Sequence, residues 1–290
     1  MNASLETAAN PFETPRPRRI RLTQGVLRVV VALQCFGMAA GHLHLREPDQ
    51  FLEFLLHSRN LPAAQVTSLS DLVSYGLVVA GVLTLLRPIT LVLLLLAAYQ
   101  GGTAIAAAVV DVPLAVVEAA AQATQIIVPI GLLLIDFWPP RIKPTLVMCL
   151  AATTLLKLAV AVTFLALGVL SLEQARQGGP LLEMVQQALQ KSGRRQVSPE
   201  VVATWLSLLG AVEIGMVLAL LSSRSRSVMA GCMLTGLLIA FLPTLAGGMS
   251  GYTESLRMIS LAGAPMAILI FHLTSVREQP PIYLPEVRRG

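Results

Sequence analysis

Eight apolar runs, each about as long as a bilayer is thick, constrain this chain more than any other feature of its sequence. The hydrocarbon core of a membrane is about 30 Å across, and a helix needs about 20 residues to cross it. Runs of that kind occupy approximately 24–44, 69–86, 88–110, 114–135, 145–171, 201–221, 228–247 and 256–274. Of the 290 residues, 55% are hydrophobic and 13% are charged. A soluble domain carries about 25% charged residues, so this chain has too few polar groups to cover a surface facing water. The short alternating segments of a β-barrel are absent. The expected fold class is all-α: a polytopic membrane protein of eight transmembrane helices with the lipid bilayer as its solvent. The stretch NPFETPRPRRIRLT before the first run is basic and Pro-rich and lacks a cleavable apolar region, so the first run is expected to stay in the membrane.

Local signals mark several ends. Thr23 is placed to cap the first span, and Ser198-Pro199-Glu200 reads as cap, first-turn proline and first-turn acid before the sixth. Arg87-Pro88 makes the second and third spans a tight hairpin. The short loops carrying Arg87, Arg141 with Lys143, and Arg224 with Arg226 alternate with loops rich in acids. The positive-inside rule then puts both termini in the cytoplasm. The net charge of +5 is accounted for by this asymmetry. No basic face is interleaved with aromatics, so no nucleic-acid partner is expected. Cys35, Cys149 and Cys232 are far apart in apolar runs, which argues against a disulfide framework or zinc site.

The spans repeat in sets of four. VEAAAQATQIIVPIGLLLID from Val117 aligns without gaps on TESLRMISLAGAPMAILIFH from Thr253, setting Glu118 on Glu254 and Pro129 on Pro265. Four spans are an even number, so the halves enter the membrane the same way, as parallel repeats. Paired four-helix bundles are expected, with small residues at helix contacts. The prolines are expected to kink their spans.

Charged and amide side chains within the spans are the candidate functional groups. Lys157 lies near the middle of the fifth run and Glu213 at a similar depth in the sixth. An isolated charge there costs about 2.5–3.5 kcal/mol on the insertion scale, so the two are expected to pair. That leaves open a scaffold pair or a carboxylate that handles protons or a ligand. Glu118, Gln122 and Gln125 share a helical face, expected to look into the bundle. There they bond across helices or hold a ligand such as a quinone head group. Arg28, a turn inside the first span, is expected to snorkel to the interface.

Three of the four histidines lie in GHLHLREPDQFLEFLLHSRNLP, from Gly41 to Pro62. His42 and His44 are about 200° apart on a helix and cannot share a metal there. No metal site is expected. DQFLEFLLHSRN is amphipathic, with Gln50, Glu53 and His57 on one face, and is expected to lie in the interface. LLEMVQQALQ, with Leu181, Val185 and Ala188 on its apolar side, is its counterpart in the second half. His42, His44 and His57 are either ordinary interfacial histidines or a ligand-orienting, pH-responsive group.

LRVVVALQCFGMAAGHLHLREPDQF and LPAAQVTSLSDLVSYGLVVAGVLTLLRP resemble the DoxX/MauE-like superfamily of four-span membrane proteins. Arg28, Gly37 and Gly41, the Pro48 to Phe51 segment, Leu61-Pro62 and Arg87 carry the resemblance. Lys157, Gly168 and EIGMVLALL from Glu213 carry a weaker second copy. The resemblance implies a first repeat at 24–138 and a second at 139–275, and the composition leaves a disordered basic cytoplasmic tail at 1–23 and a Pro-rich basic cytoplasmic tail at 276–290. It also implies a bacterial inner-membrane setting. Members of that superfamily usually place a lysine near the end of the first span, where this chain has His42 and His44. They place a glutamate in the second, where it has only Asp71 near the entrance. Three functions follow as expectations. The first is a redox accessory subunit, linked to quinone or thiols, serving a periplasmic or membrane redox protein at the external face. The second is an assembly subunit, and the third a small-solute transporter using Glu213. No phosphate loop or catalytic triad spacing points to an enzyme.

Overall fold

The computed structural model describes residues 17–45, 51–54, 62–109, 114–136, 145–191, 193, 197–222 and 225–273. His57 and residues 274–290 lie outside them. Among the described residues the helices of six residues or more follow in order: α1 (Pro17–Ala40), α2 (Ala63–Leu86), α3 (Thr90–Val109), α4 (Ala115–Ala121), α5 (Ala123–Ile135), α6 (Leu146–Gln177), α7 (Pro180–Lys191), α8 (Pro199–Ser222), α9 (Arg226–Gly247), α10 (Tyr252–Arg257) and α11 (Ser260–Leu273). A π-helical turn, Gly41–Leu45, extends α1. No strand occurs among the described residues. Among the described residues eight helical stretches are long and apolar enough to cross a membrane, with α4–α5 and α10–α11 each making up one of them. The chain is a multi-pass membrane protein.

Helix ends follow the local chemistry in part. Arg87 leaves the helix in an extended conformation before Pro88, which separates α2 from α3. Pro199 opens α8, where the Ser198 carbonyl accepts from the Val201 and Val202 amides. Thr23 does not cap the first span. α1 begins at Pro17, so residues 17–23 are helical where a tail was expected, and the Thr23 hydroxyl is buried without a hydrogen-bond partner. The fifth span also runs longer than its apolar core, to Gln177, before Gly178 ends it at positive φ. On α7, Glu183, Gln187 and Gln190 are exposed, with Leu181, Val185 and Ala188 half-buried between them. The helix is amphipathic as expected, and it packs on α8 and α9.

The halves do not close into separate bundles. α1 packs on α2 within its own half, and equally on α10 and α11 of the other. Likewise α6 packs on α8 and, across the halves, on α4 and α5. α2 makes little contact with α3, and α8 little with α9, despite the hairpins joining them. The fifth and eighth spans are the most buried, 56% each, and the second and sixth the least, 22% and 28%. The first, fourth, fifth and eighth spans pack on one another as a central quartet, with the other four around it.

Small residues explain this choice of partners. Gly37 on α1 faces α10 so closely that a Cβ there would stand 2.7 Å from the Arg257 amide nitrogen and the Thr253 carbonyl oxygen. Gly168 on α6 meets Gly210 on α8, where a Cβ on Gly210 would lie 2.8 Å from the Gly168 carbonyl oxygen. Close backbone approach is how helices gain packing in lipid, where hydrophobicity offers no drive to associate. Leu72, Leu86, Leu91, Leu95, Leu218 and Leu238 are exposed, as side chains facing lipid should be.

Candidate functional site: a polar layer between broken helices

Both fourth spans are interrupted. α4 ends at Ala121 and α5 starts at Ala123, with Gln122 outside helical geometry between them. α10 ends at Arg257 and α11 starts at Ser260, with Met258 and Ile259 as the break. In the alignment of the two halves, Gln122 falls on Met258. Pro129 and Pro265 lie buried inside helices α5 and α11, and the breaks precede them by about two turns.

A break inside a membrane frees backbone groups that need partners. Thr163 on α6 supplies one, its hydroxyl accepting from the Thr124 amide at 3.0 Å. Thr124 and Ser260, at aligned positions, meet through their hydroxyls at 3.4 Å, joining the two breaks at the centre of the protein. Gln34 on α1 completes the layer. Val30 abuts Gly263, and Gly37 abuts Thr253 to Arg257. Gln34 lies between them on the same helical face, opposite the break in the eighth span. Its side chain is fully buried, and neither amide atom has a hydrogen-bond partner. Buried polar atoms rarely stay unpaired, and each costs about 1–3 kcal/mol when they do.

Other polar groups lie near this depth. Gln125 and Gln100 are buried, the Gln100 side-chain oxygen Oε1 without a partner. Gln122 accepts from the Thr103 hydroxyl at 3.3 Å. Glu118 does not join them. It is exposed, because the break at Gln122 ends the regular face it was expected to share with the two glutamines. Its aligned partner Glu254 sits in the first turn of α10 and pairs with Arg257 at 2.9 Å.

Glu213 is fully buried on α8, near its middle, where Oε2 accepts from the Ser171 hydroxyl at 3.3 Å and Oε1 has no partner. Lys157 is not its counter-ion. The Gly168–Gly210 contact fixes the register of α6 against α8 and sets Glu213 beside Ser171. Lys157 is then roughly 21 Å further along α6. It lines a cavity at the other end with Ser225, Arg226 and His272. The expectation of equal depth fails because α6 extends past residue 171 on the side where Glu213 finds its partner.

Arg28 does not merely snorkel. Its Nε and Nη2 both reach Asp136 Oδ2 at 2.6 Å, at the end of α5. Gln24 adds a bond to the Ile135 carbonyl at 2.9 Å. At the opposite end of the first half, His42, Thr67, Ser70 and Asp71 line a cavity of about 370 Å³. The His42 Nε2 lies 3.4 Å from the Tyr99 hydroxyl, while His44 points away and is exposed. Phe51 stacks edge-on against Tyr99, and Leu52 is buried, so the start of the amphipathic elbow folds back over α3. Among the described residues no group of histidine, cysteine and acidic side chains is arranged to hold a metal. The three cysteines are free and buried.

No protein-family model matches the chain, and neither a curated protein nor a solved structure matches it.

Proposed function

We propose that this protein binds a small polar solute or ion at the middle of the membrane and carries it across, using the two broken fourth spans. The observation that carries the reading is the unpartnered, fully buried Gln34 facing one of two breaks at aligned positions. Discontinuous helices meeting near the bilayer midplane between two halves of a chain are a recurrent way to build a solute site. A buried carboxyl such as Glu213 within a span is a functional candidate by default. The two halves act as parallel repeats in this reading. Equivalent breaks and equivalent packing partners support that: α1 relates to α2, α10 and α11 as α6 relates to α8, α4 and α5. The DoxX/MauE-like resemblance, the bacterial inner membrane and cytoplasmic termini complete the proposal.

Osmotic swelling of proteoliposomes, challenged in turn with sugars, amino acids, carboxylates and inorganic anions, tests it. At least one solute should enter faster than into protein-free vesicles, and Glu213→Gln should slow that entry by about tenfold or more, a barrier change near 1.4 kcal/mol. Entry at the protein-free rate for every solute would sink the proposal.

A second reading has its own observation. His42, Tyr99 and Asp71 gather beside the outer cavity, which suits a quinone head group serving a redox partner. Bound quinone in extracts of the purified protein, lost in His42→Ala, would favour it over transport.

A further inference from the structure

We infer that the second half holds a phosphate-binding site at the end of the bundle where Lys157, Arg226 and His272 line a common cavity of about 290 Å³. The inference does not depend on transport. It comes from comparing the two halves. In the alignment of the fourth spans, Asp136 falls on His272. In the first half, a basic residue of the central helix, Arg28, is neutralised by Asp136 at 2.6 Å. In the second half, Lys157 stands on the corresponding helix, α6, and shares the cavity with His272 where the acid would be. Arg226, in the first turn of α9, adds a second cation. Among the described residues no acid lies within 4 Å of Lys157 or Arg226.

The chemistry that would fill this place is anionic and rich in acceptors. Two cations in a half-buried cleft repel each other unless an anion sits between them. The first turn of α9 borders the same cavity, and the positive end of the helix dipole there favours an anion. Thr153, Thr154 and Ser225 add hydroxyls to the lining, and Leu150, Met229, Ile268 and Leu269 form an apolar stretch beside them. Leu150 is 47% exposed on the lipid-facing side. A cationic mouth above an apolar wall fits a phosphate head group with its acyl chain beside it. The same cations would also take free phosphate from the aqueous side.

The test uses purified full-length protein, washed free of co-purifying lipid in a neutral detergent. Its unfolding temperature is followed while dioctanoyl phosphatidylglycerol, dioctanoyl phosphatidylcholine or inorganic phosphate is added. A saturable rise with phosphatidylglycerol alone assigns a lipid head group. A rise with inorganic phosphate as well assigns free phosphate as a source. The double variant Lys157→Met, Arg226→Gln should weaken binding by roughly thirtyfold, from about 1 kcal/mol per cation. His272→Asp, which rebuilds the first half's arrangement, should weaken it comparably without lowering the unfolding temperature of the unliganded protein. Lys157→Arg should retain binding. The inference is overturned if phosphatidylcholine matches phosphatidylglycerol, if no phosphate-bearing probe gives a saturable rise, or if His272→Asp binds like the wild type.

Discussion

Gln34→Leu is expected to make the purified protein more stable while abolishing solute entry into proteoliposomes. The Gln34 amide has no partner for either polar atom. Replacing an unpaired buried polar group with an apolar one of similar size removes its desolvation penalty, about 1–3 kcal/mol. A purely structural glutamine would show the opposite, a loss of stability. The same leucine would place an alkyl group opposite the break in the eighth span, where a solute would need hydrogen-bond partners. Thermal unfolding in detergent and the swelling assay read the two effects separately. Lower stability together with unchanged entry would assign Gln34 to a packing role and remove it from the site.

Gly210→Val should damage the packing of α8 on α6 severely. A Cβ on Gly210 meets the Gly168 carbonyl oxygen at 2.8 Å and the side chains of Leu172 and Ser171 at 3.0 and 3.1 Å. Backbone cannot yield as a flexible side chain does, so α8 must move off α6. Overpacking of this kind costs about 1–3 kcal/mol, and a branched side chain against backbone belongs at the upper end. The shift also draws Glu213 away from Ser171, leaving the whole carboxyl unpaired. Gly215→Ala on the same helix is the control. Nothing lies within 4 Å of a Cβ there, and alanine's better helix propensity offers up to about 1 kcal/mol. Valine at 210 and alanine at 215 should therefore move the unfolding temperature in opposite directions. Equal effects would mean that the close approach of α6 and α8 does not hold the fold together.

The spans were legible because length and apolarity alone define them. The alignment of the fourth spans puts Gln122 and Met258 in one column but does not mark either as a break. The breaks themselves were not legible. AAAQATQIIVP and LRMISLAGAP read as unbroken helix locally, and tertiary partners such as Thr163 stabilise the interruption. Lys157 and Glu213 were misjudged because depth was counted from the edges of apolar runs. Register is set by glycines such as Gly168 and Gly210, whose partners one chain does not disclose. Asp136 carried a readable signal, a lone acid closing the fourth span opposite a lone arginine in the first. Gln34 carried one too, as the only amide in the middle of VVVALQCFGMAA. Thr124, Thr163 and Ser260 carried none, because hydroxyls are common wherever membrane helices pack.

If this protein carries a solute, water and solute reach the layer formed by Gln34, Thr124 and Ser260 at some stage of its working cycle. Single cysteines at positions 34, 124 and 260, in protein whose Cys35, Cys149 and Cys232 have been replaced by alanine, test this with a membrane-impermeant thiol reagent. A cysteine retained at 35, buried in the apolar core beside the layer, sets the background rate. The expected result is reaction at 34 and 260 at least tenfold faster than at 35. Equal rates at 34, 260 and 35 would contradict the account, because the layer would then be sealed packing and not a path.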